Sequence, residues 1–409
     1  MPTELKKNQN KFVEYISKTI LNLHKNIFDT EAYKTYVNDA PELQKYIELS
    51  RLQKENAQIN FAYYDTIYLF VEKVLRKHNL FVTFHTIYSL NRKNETVTLN
   101  GRKFIIYDQY LGKTFNLFNK AFLQLKDSKP LDHYCTRYLV ESFRVRGMGL
   151  ESDIVINFGL KTDSFLKLNK AYSSESTISA YTYIQETFII FHEIAHLIVN
   201  ENTRYLSFRF KQINDYIDKQ PSSIFNKINE SDSRIGSFEL DLHRRKNLIE
   251  EIVCDYIATK YTFESLFELN LLKPQDFCEA IYLGLRTMRS LNLMDGYIDS
   301  YSMRKSEHRI DNLSQLFKES SVRFWLIKDS ISSMYKTKYR KKFKTDPLVN
   351  LLMKDIDKYS EFYEDPFHRV NHLLDILAKT IPPEIVKKVS FNEQLEVLNY
   401  TDKVLGRIS

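Results

Sequence analysis

The chain has 409 residues, of which 43% are hydrophobic and 27% charged, a composition typical of a core-forming soluble protein rather than a disordered one. Only nine residues are glycine, against roughly 29 at an average usage of about 7%, which argues against turn-rich all-β folds and glycine-rich nucleotide cradles. The net charge of +7 needs no anionic partner to explain it.

The first part of the chain, residues 1–92, has apolar residues at helical spacing and is predicted to be helical. Two β-rich runs follow, at residues 95–99 and 102–107, and Asn-Gly between them is a strong hairpin signal. A helix is predicted over 108–125. A third strand is predicted at 153–158, where Gly159 would end it.

Five further stretches complete the predicted elements. The most apolar helix is predicted over residues 178–200, after possible N-cap residues of the Ser and Thr type. A polar segment at 218–237 is interpreted as a long loop, and helices are predicted at 248–263 and 277–291. Residues 301–409 are predicted to be helical throughout, with prolines marking breaks.

The number of cysteines and the length of the apolar runs indicate the cellular compartment of the protein. Cys135, Cys254 and Cys278 are too few to pair completely and have no CxxC spacing, so a reducing environment is favoured. The first residues lack the apolar stretch of a signal peptide, and no run approaches the length of a membrane span. We therefore expect a cytoplasmic protein with no membrane partner.

The chemistry of the chain centres on His192, Glu193 and His196, which form the pattern HExxH inside the helix predicted at 178–200. The two histidines are one helical turn apart, so both imidazoles project from the same face and can hold one Zn²⁺. Glu193 lies beside them and can take a proton from zinc-polarised water and return it to the leaving amine. The surrounding residues are apolar, and buried imidazoles need a partner that a metal would supply.

A catalytic zinc site needs a third protein ligand and an open position. Glu251 and Asp255 are four residues apart on the helix predicted at 248–263 and share a face. Glu251 is the candidate third ligand, and Asp255 would accept the second N–H of a zinc-bound imidazole. Glu250 shares a face with Cys254 instead, and the sequence leaves it open as an alternative ligand.

These two motifs together resemble the gluzincin clan of zinc metallopeptidases, of which thermolysin is the type. The long gap between His196 and Glu251 is similar to that of compact intracellular members, the ImmA-type repressor-cleaving proteases and phage-exclusion peptidases of the Lit type. The glycine-poor composition favours a predominantly helical α+β fold with a small sheet. The resemblance implies that this sheet is a zincin-type antiparallel or mixed sheet over the active-site helix. The metallopeptidase domain would span 93–300, between helical regions at 1–92 and 301–409.

The resemblance also implies two further parts of the site. An edge strand binds the substrate backbone by β-augmentation, and residues 153–158 are the candidate. A His, Tyr or Arg after the glutamate helix stabilises the oxyanion, and His308 and His368 are the candidates, each followed by an arginine. His372 forms an i, i+4 pair with His368, but no Glu lies between them, which favours a structural or solvent-facing role for this pair.

The leading functional hypothesis is a zinc endopeptidase that cleaves a specific protein target, with a regulatory or anti-phage role suggested by analogy. The alternative is a non-catalytic zincin-like module that binds a protein or nucleic acid through a basic cluster at residues 335–344. That cluster is more typical of a solvated loop or helix face, so the sequence does not favour a nucleic-acid partner. A zinc aminopeptidase would need acidic residues to hold the substrate amine, and the sequence places none.

Overall fold

The computed structural model describes most of the central part of the chain, and its elements are predominantly helical with one small sheet. The described residues are 61–87, 92, 94–99, 102–123, 129–146, 148–161, 175–201, 242–268 and 274–303, with isolated positions in 207–215, 323–337 and 370–378. The elements are α1 (Phe61–Lys77), β1 (Val82–Ile87), β2 (Asn94–Leu99), β3 (Arg102–Asp108), α2 (Gln109–Leu123), α3 (Lys129–Val145), α4 (Gly149–Lys161), α5 (Glu175–Glu201), α6 (Leu242–Glu268) and α7 (Pro274–Met303). The predicted α+β class is confirmed, while the boundaries at 92 and 300 stay predictions.

The described sheet is mixed and has the strand order β1-β3-β2. Strands β2 and β3 are antiparallel, and Leu99 lies opposite Arg102, which confirms the predicted hairpin. Strand β1 runs parallel to β3, with Val82 opposite Lys103. Within the described residues β2 is therefore one edge of the sheet and β1 is the other.

The prediction that residues 1–92 are helical throughout is wrong at β1. Helix α1 ends where Asn79 adopts a left-handed conformation with a φ of 53°. The N–H of Leu80 then donates to the carbonyl of Leu75 at 2.9 Å, which turns the chain out of the helix. Residues 82–87, VTFHTI, are rich in β-branched and aromatic types and pair with β3. Residues 1–60 lie outside the described residues.

The strand predicted at residues 153–158 is also wrong, because these residues lie inside helix α4, as does Gly159. Three successive residues, Ile154, Val155 and Ile156, are buried. A short continuous apolar run of this kind fits a buried helix as well as a buried strand, and periodicity cannot separate the two. The substrate-binding edge strand expected at this position is therefore absent from it.

Helix α5, which carries the HExxH pattern, is the centre of the described fold and confirms the helix predicted at 178–200. It packs against α6, α2 and α7 on its sides and against β2 and β3. Its residues Phe188, Ile190, Phe191 and Ile194 are buried, so apolar groups surround it on several faces. The helices predicted at 108–125, 248–263 and 277–291 correspond to α2, α6 and α7. Helix α3 was not predicted.

A buried carboxylate on α5 fixes how this helix is rotated. Tyr64 of α1 and Tyr107 of β3 both donate their hydroxyls to Glu186 Oε1, each at 2.7 Å. Gly112 of α2 permits this approach, because a Cβ atom there would lie 1.8 Å from the same oxygen. Glu186 precedes Glu193 by two helical turns and shares its face. These bonds therefore hold the Glu193 face of α5 toward the sheet.

The remaining sequence expectations concern disulfides and membranes. Cys135, Cys254 and Cys278 are free thiols, in agreement with the prediction that they form no disulfide framework, and all three are buried. No helix among the described residues is long and apolar enough to cross a membrane. The described positions of the C-terminal part are helical, and Ile327, Ile331 and Leu374 are among those that pack into the main core. The loop predicted at 218–237 lies outside the described residues.

Candidate metal centre

The two histidines of α5 face each other across one helical turn. Their Nε2 atoms are 3.2 Å apart, and the two rings are nearly perpendicular, with centroids 4.9 Å apart. His192 is buried, and His196 is partly exposed. Because both Nε2 atoms point to one spot, the HExxH spacing produces a pair of converging nitrogen donors.

Glu251 of α6 brings a carboxylate to the same spot. Its Oε2 lies 3.2 Å from His192 Nε2, and its Oε1 lies 3.4 Å from His196 Nε2. A tetrahedral Zn²⁺ with bonds of about 2.0–2.1 Å requires ligand atoms about 3.3 Å from one another. The two nitrogens have this spacing, and each oxygen of Glu251 has it relative to one of them. The three side chains are of the types that bind zinc, and one ligand atom of each lies within 4.8 Å of the others. No other group of three such side chains is found in the part of the chain that the structure describes.

Asp255, also on α6, lies behind His192. Its Oδ1 is 2.9 Å from His192 Nδ1, an ion-pair distance at which the ring N–H is not aligned for a hydrogen bond, and the carboxylate is fully buried. A carboxylate at the outer nitrogen of a metal-ligating histidine orients the ring and makes the inner nitrogen a better ligand. Asp255 therefore has the position that the sequence assigned to it.

Glu250 and Cys254 lie on the outer side of His196. The Oε1 of Glu250 and the Sγ of Cys254 are each 3.4 Å from His196 Nδ1. Glu250 thus contacts the nitrogen that faces away from His192, whereas Glu251 contacts both converging nitrogens. The geometry favours Glu251 over Glu250 as the third donor.

Arg323 completes the polar arrangement and was not among the predicted site residues. It donates from Nε to Asp255 Oδ2 at 2.6 Å and from Nη2 to Asp255 Oδ1 at 2.8 Å. Its Nη1 also lies 3.1 Å from Glu251 Oε2. The one available signal is its place in the sequence, four and eight residues before the core residues Ile327 and Ile331.

The motif glutamate lies between α5 and the sheet. Thr96 of β2 donates its hydroxyl to Glu193 Oε2 at a long 3.5 Å. Asn94, at the start of the same strand, donates its side-chain amide to the carbonyl of Ile189 at 3.0 Å. Strand β2 is therefore attached to α5 beside the HExxH motif.

Burial and charge shift the pKa values of the site in opposite directions. Burial disfavours a charged His192, but its contacts with Asp255 and Glu251 outweigh burial and raise its pKa to about 10. Burial also opposes the charged form of Glu251, yet its contacts with His192, His196 and Arg323 keep its pKa well below the usual range. The site therefore stabilises a positive charge between the histidines and Glu251.

The pKa of Glu193 is shifted upward, in the opposite direction to the pKa of Glu251. Burial raises its pKa above the usual glutamate value, and the negative charge of Glu251 adds to this, while the two histidines oppose it. A carboxylate whose pKa moves toward neutrality is better suited to accept and return a proton.

The residues predicted to stabilise the oxyanion, His308 and His368, lie outside the described residues, so their roles stay predictions. His372 is described and is exposed on a helical position. The basic cluster at 335–344 also lies outside the described residues apart from Thr337.

The chain matches no protein-family model, and no curated protein or solved structure is significantly similar to it.

Proposed function

We propose that the chain is a zinc-dependent endopeptidase whose metal site is formed by His192, His196 and Glu251. The observation that carries the proposal is the convergence of two imidazole nitrogens and one carboxylate at spacings of 3.2 and 3.4 Å. Two histidines and one glutamate are the ligand set of catalytic zinc in thermolysin-type peptidases, where the fourth position stays open.

Zinc bound at such a site polarises a carbonyl and lowers the pKa of water enough to make it a nucleophile at neutral pH. Glu193 acts as general base toward that water and then as general acid toward the leaving amine. Its place in the HExxH motif, its burial and its raised pKa support this role. Asp255 holds the His192 ring in the orientation that presents Nε2.

The substrate backbone is proposed to lie along β2 rather than along residues 153–158. Strand β2 is an edge of the described sheet, and its Thr96 reaches Glu193. An extended peptide added to this edge would pair through main-chain hydrogen bonds. The scissile carbonyl would then lie beside Glu193 and the three ligands.

We further propose that the enzyme acts on a specific protein target in the cytoplasm, in a regulatory or anti-phage role. The support is an analogy with ImmA-type and Lit-type peptidases, together with the large amount of chain outside the small α5–α6 catalytic unit. His308 and His368 remain the proposed residues for oxyanion stabilisation.

The target can be identified by comparing the proteomes of cells that express the wild type or Glu193→Gln. We expect one or a few proteins to be shortened only with the wild type, with new termini at a defined site. Identical proteomes, under conditions where the purified wild type holds zinc, would contradict the endopeptidase proposal and would favour a binding module.

A further inference from the structure

A single guanidinium group connects two acidic residues of the metal centre. Arg323 uses Nε and Nη2 on Asp255 and Nη1 on Glu251, so all three of its nitrogens contact carboxylate oxygens. Glu251 and Asp255 are one turn apart on α6, and the planar guanidinium spans them in a fixed geometry. A flexible glutamate side chain is thereby held in one position.

The position of Arg323 is itself determined by core packing. It lies on the same helical spacing as Ile327 and Ile331, both buried in the main core, and Met334 packs against that core. These apolar residues attach the segment to the body of the protein, and Arg323 extends from the same face to α6. A residue far along the chain from the HExxH motif thus becomes part of the metal centre.

The charges around the centre also call for a cation. Glu193, Glu250, Glu251 and Asp255 place four carboxylates near the two histidines. A fully buried carboxylate such as Asp255 is costly unless it is paired and hydrogen-bonded. Arg323 supplies that pairing for Asp255 and also contacts one oxygen of Glu251.

We infer that Arg323 is a positioning residue of the metal centre, which fixes the Glu251 carboxylate and the Asp255–His192 pair in the geometry that binds the ion. This inference rests on the proposed zinc site, and it makes the 301–409 region a structural component of that site.

The test measures zinc affinity by competition with a chelating dye, and the visible absorption spectrum with Co²⁺ in place of zinc, on the full chain. We expect Arg323→Gln to weaken zinc binding by about tenfold to a hundredfold, the usual effect of losing an outer partner of a metal ligand. The Co²⁺ spectrum should also change, because Glu251 would no longer be held in one geometry. A purely structural role would leave that spectrum unchanged in the folded variant.

Arg323→Lys is a second variant, which keeps the inference testable if Arg323→Gln fails to fold. Lysine keeps a positive charge near Asp255 but cannot hold two carboxylates in one plane. We expect thermal stability near that of the wild type, with zinc binding still about tenfold weaker.

Arg146→Gln is the matched control. Arg146 bridges Asp295 and Asp299, also four residues apart on one helix, at 3.0 and 2.8 Å. Its side chain is 23% exposed, the same fraction as for Arg323. This control should leave zinc affinity and the Co²⁺ spectrum unchanged.

Three results would overturn the inference. Folded Arg323 variants with the zinc affinity and Co²⁺ spectrum of the wild type would overturn this inference but not the proposed function. An equal loss of zinc affinity in the Arg146 control would do the same. A wild-type chain that binds neither ion would overturn the proposed function as well, because the site itself would then be wrong.

Discussion

Replacing Glu193 with Gln is expected to abolish peptide hydrolysis while leaving the metal site intact. The amide cannot accept a proton from water, and a positioned general acid–base group contributes about 10²–10⁴-fold to the rate. Glu193 is not one of the three converging donors, so zinc content should not change. The measurement is cleavage of an identified target by wild type and variant at equal zinc content.

Glu201→Gln provides the control for this prediction. Glu201 is the last residue of the same helix, is exposed, and pairs with Lys103 at the surface. This substitution should leave both cleavage and zinc content near wild-type values. A Glu193→Gln variant with full activity would mean that another group moves the proton.

Glu251→Gln should remove most of the zinc affinity, whereas Glu250→Gln should not. Glu251 contacts both converging nitrogens, so its loss removes an anionic ligand. We expect a loss greater than about a hundredfold, beyond the effect usual for outer partners. Glu250 contacts only the outer nitrogen of His196, so its replacement should cost about tenfold at most.

The two glutamates are neighbours on one helix, so the pair of variants controls for general effects on α6. Zinc affinity is measured by dye competition on folded protein, with thermal unfolding as the check on folding. If Glu250→Gln lost zinc and Glu251→Gln kept it, the assignment of the third donor would have to be reversed.

Local patterns predicted those elements whose structure depends on nearby residues. The Asn-Gly pair between two β-rich runs predicted the β2–β3 hairpin, because the turn itself sets the pairing register. Possible N-cap residues before a strongly apolar stretch predicted α5. The HExxH spacing brought His192 and His196 together, because one helical turn is fixed by backbone geometry alone.

Features that depend on distant parts of the chain were missed or misassigned. Residues 153–158 are apolar at successive positions, and burial in the core allows them to form a helix as readily as a strand. Strand β1 is stabilised by pairing with β3, a contact that residues 82–87 do not encode by themselves. Arg323 lies 68 residues from Asp255 in the chain, and no local pattern connects the two.

Zinc content of the purified chain tests the central claim most directly. Elemental analysis of the wild type should find about one zinc per chain, as expected for one site with three protein ligands. His196→Ala, which removes one converging nitrogen, should lose that zinc while remaining folded. A wild-type protein without zinc, or a His196→Ala variant that retains zinc, would contradict the proposal that His192, His196 and Glu251 bind one zinc ion.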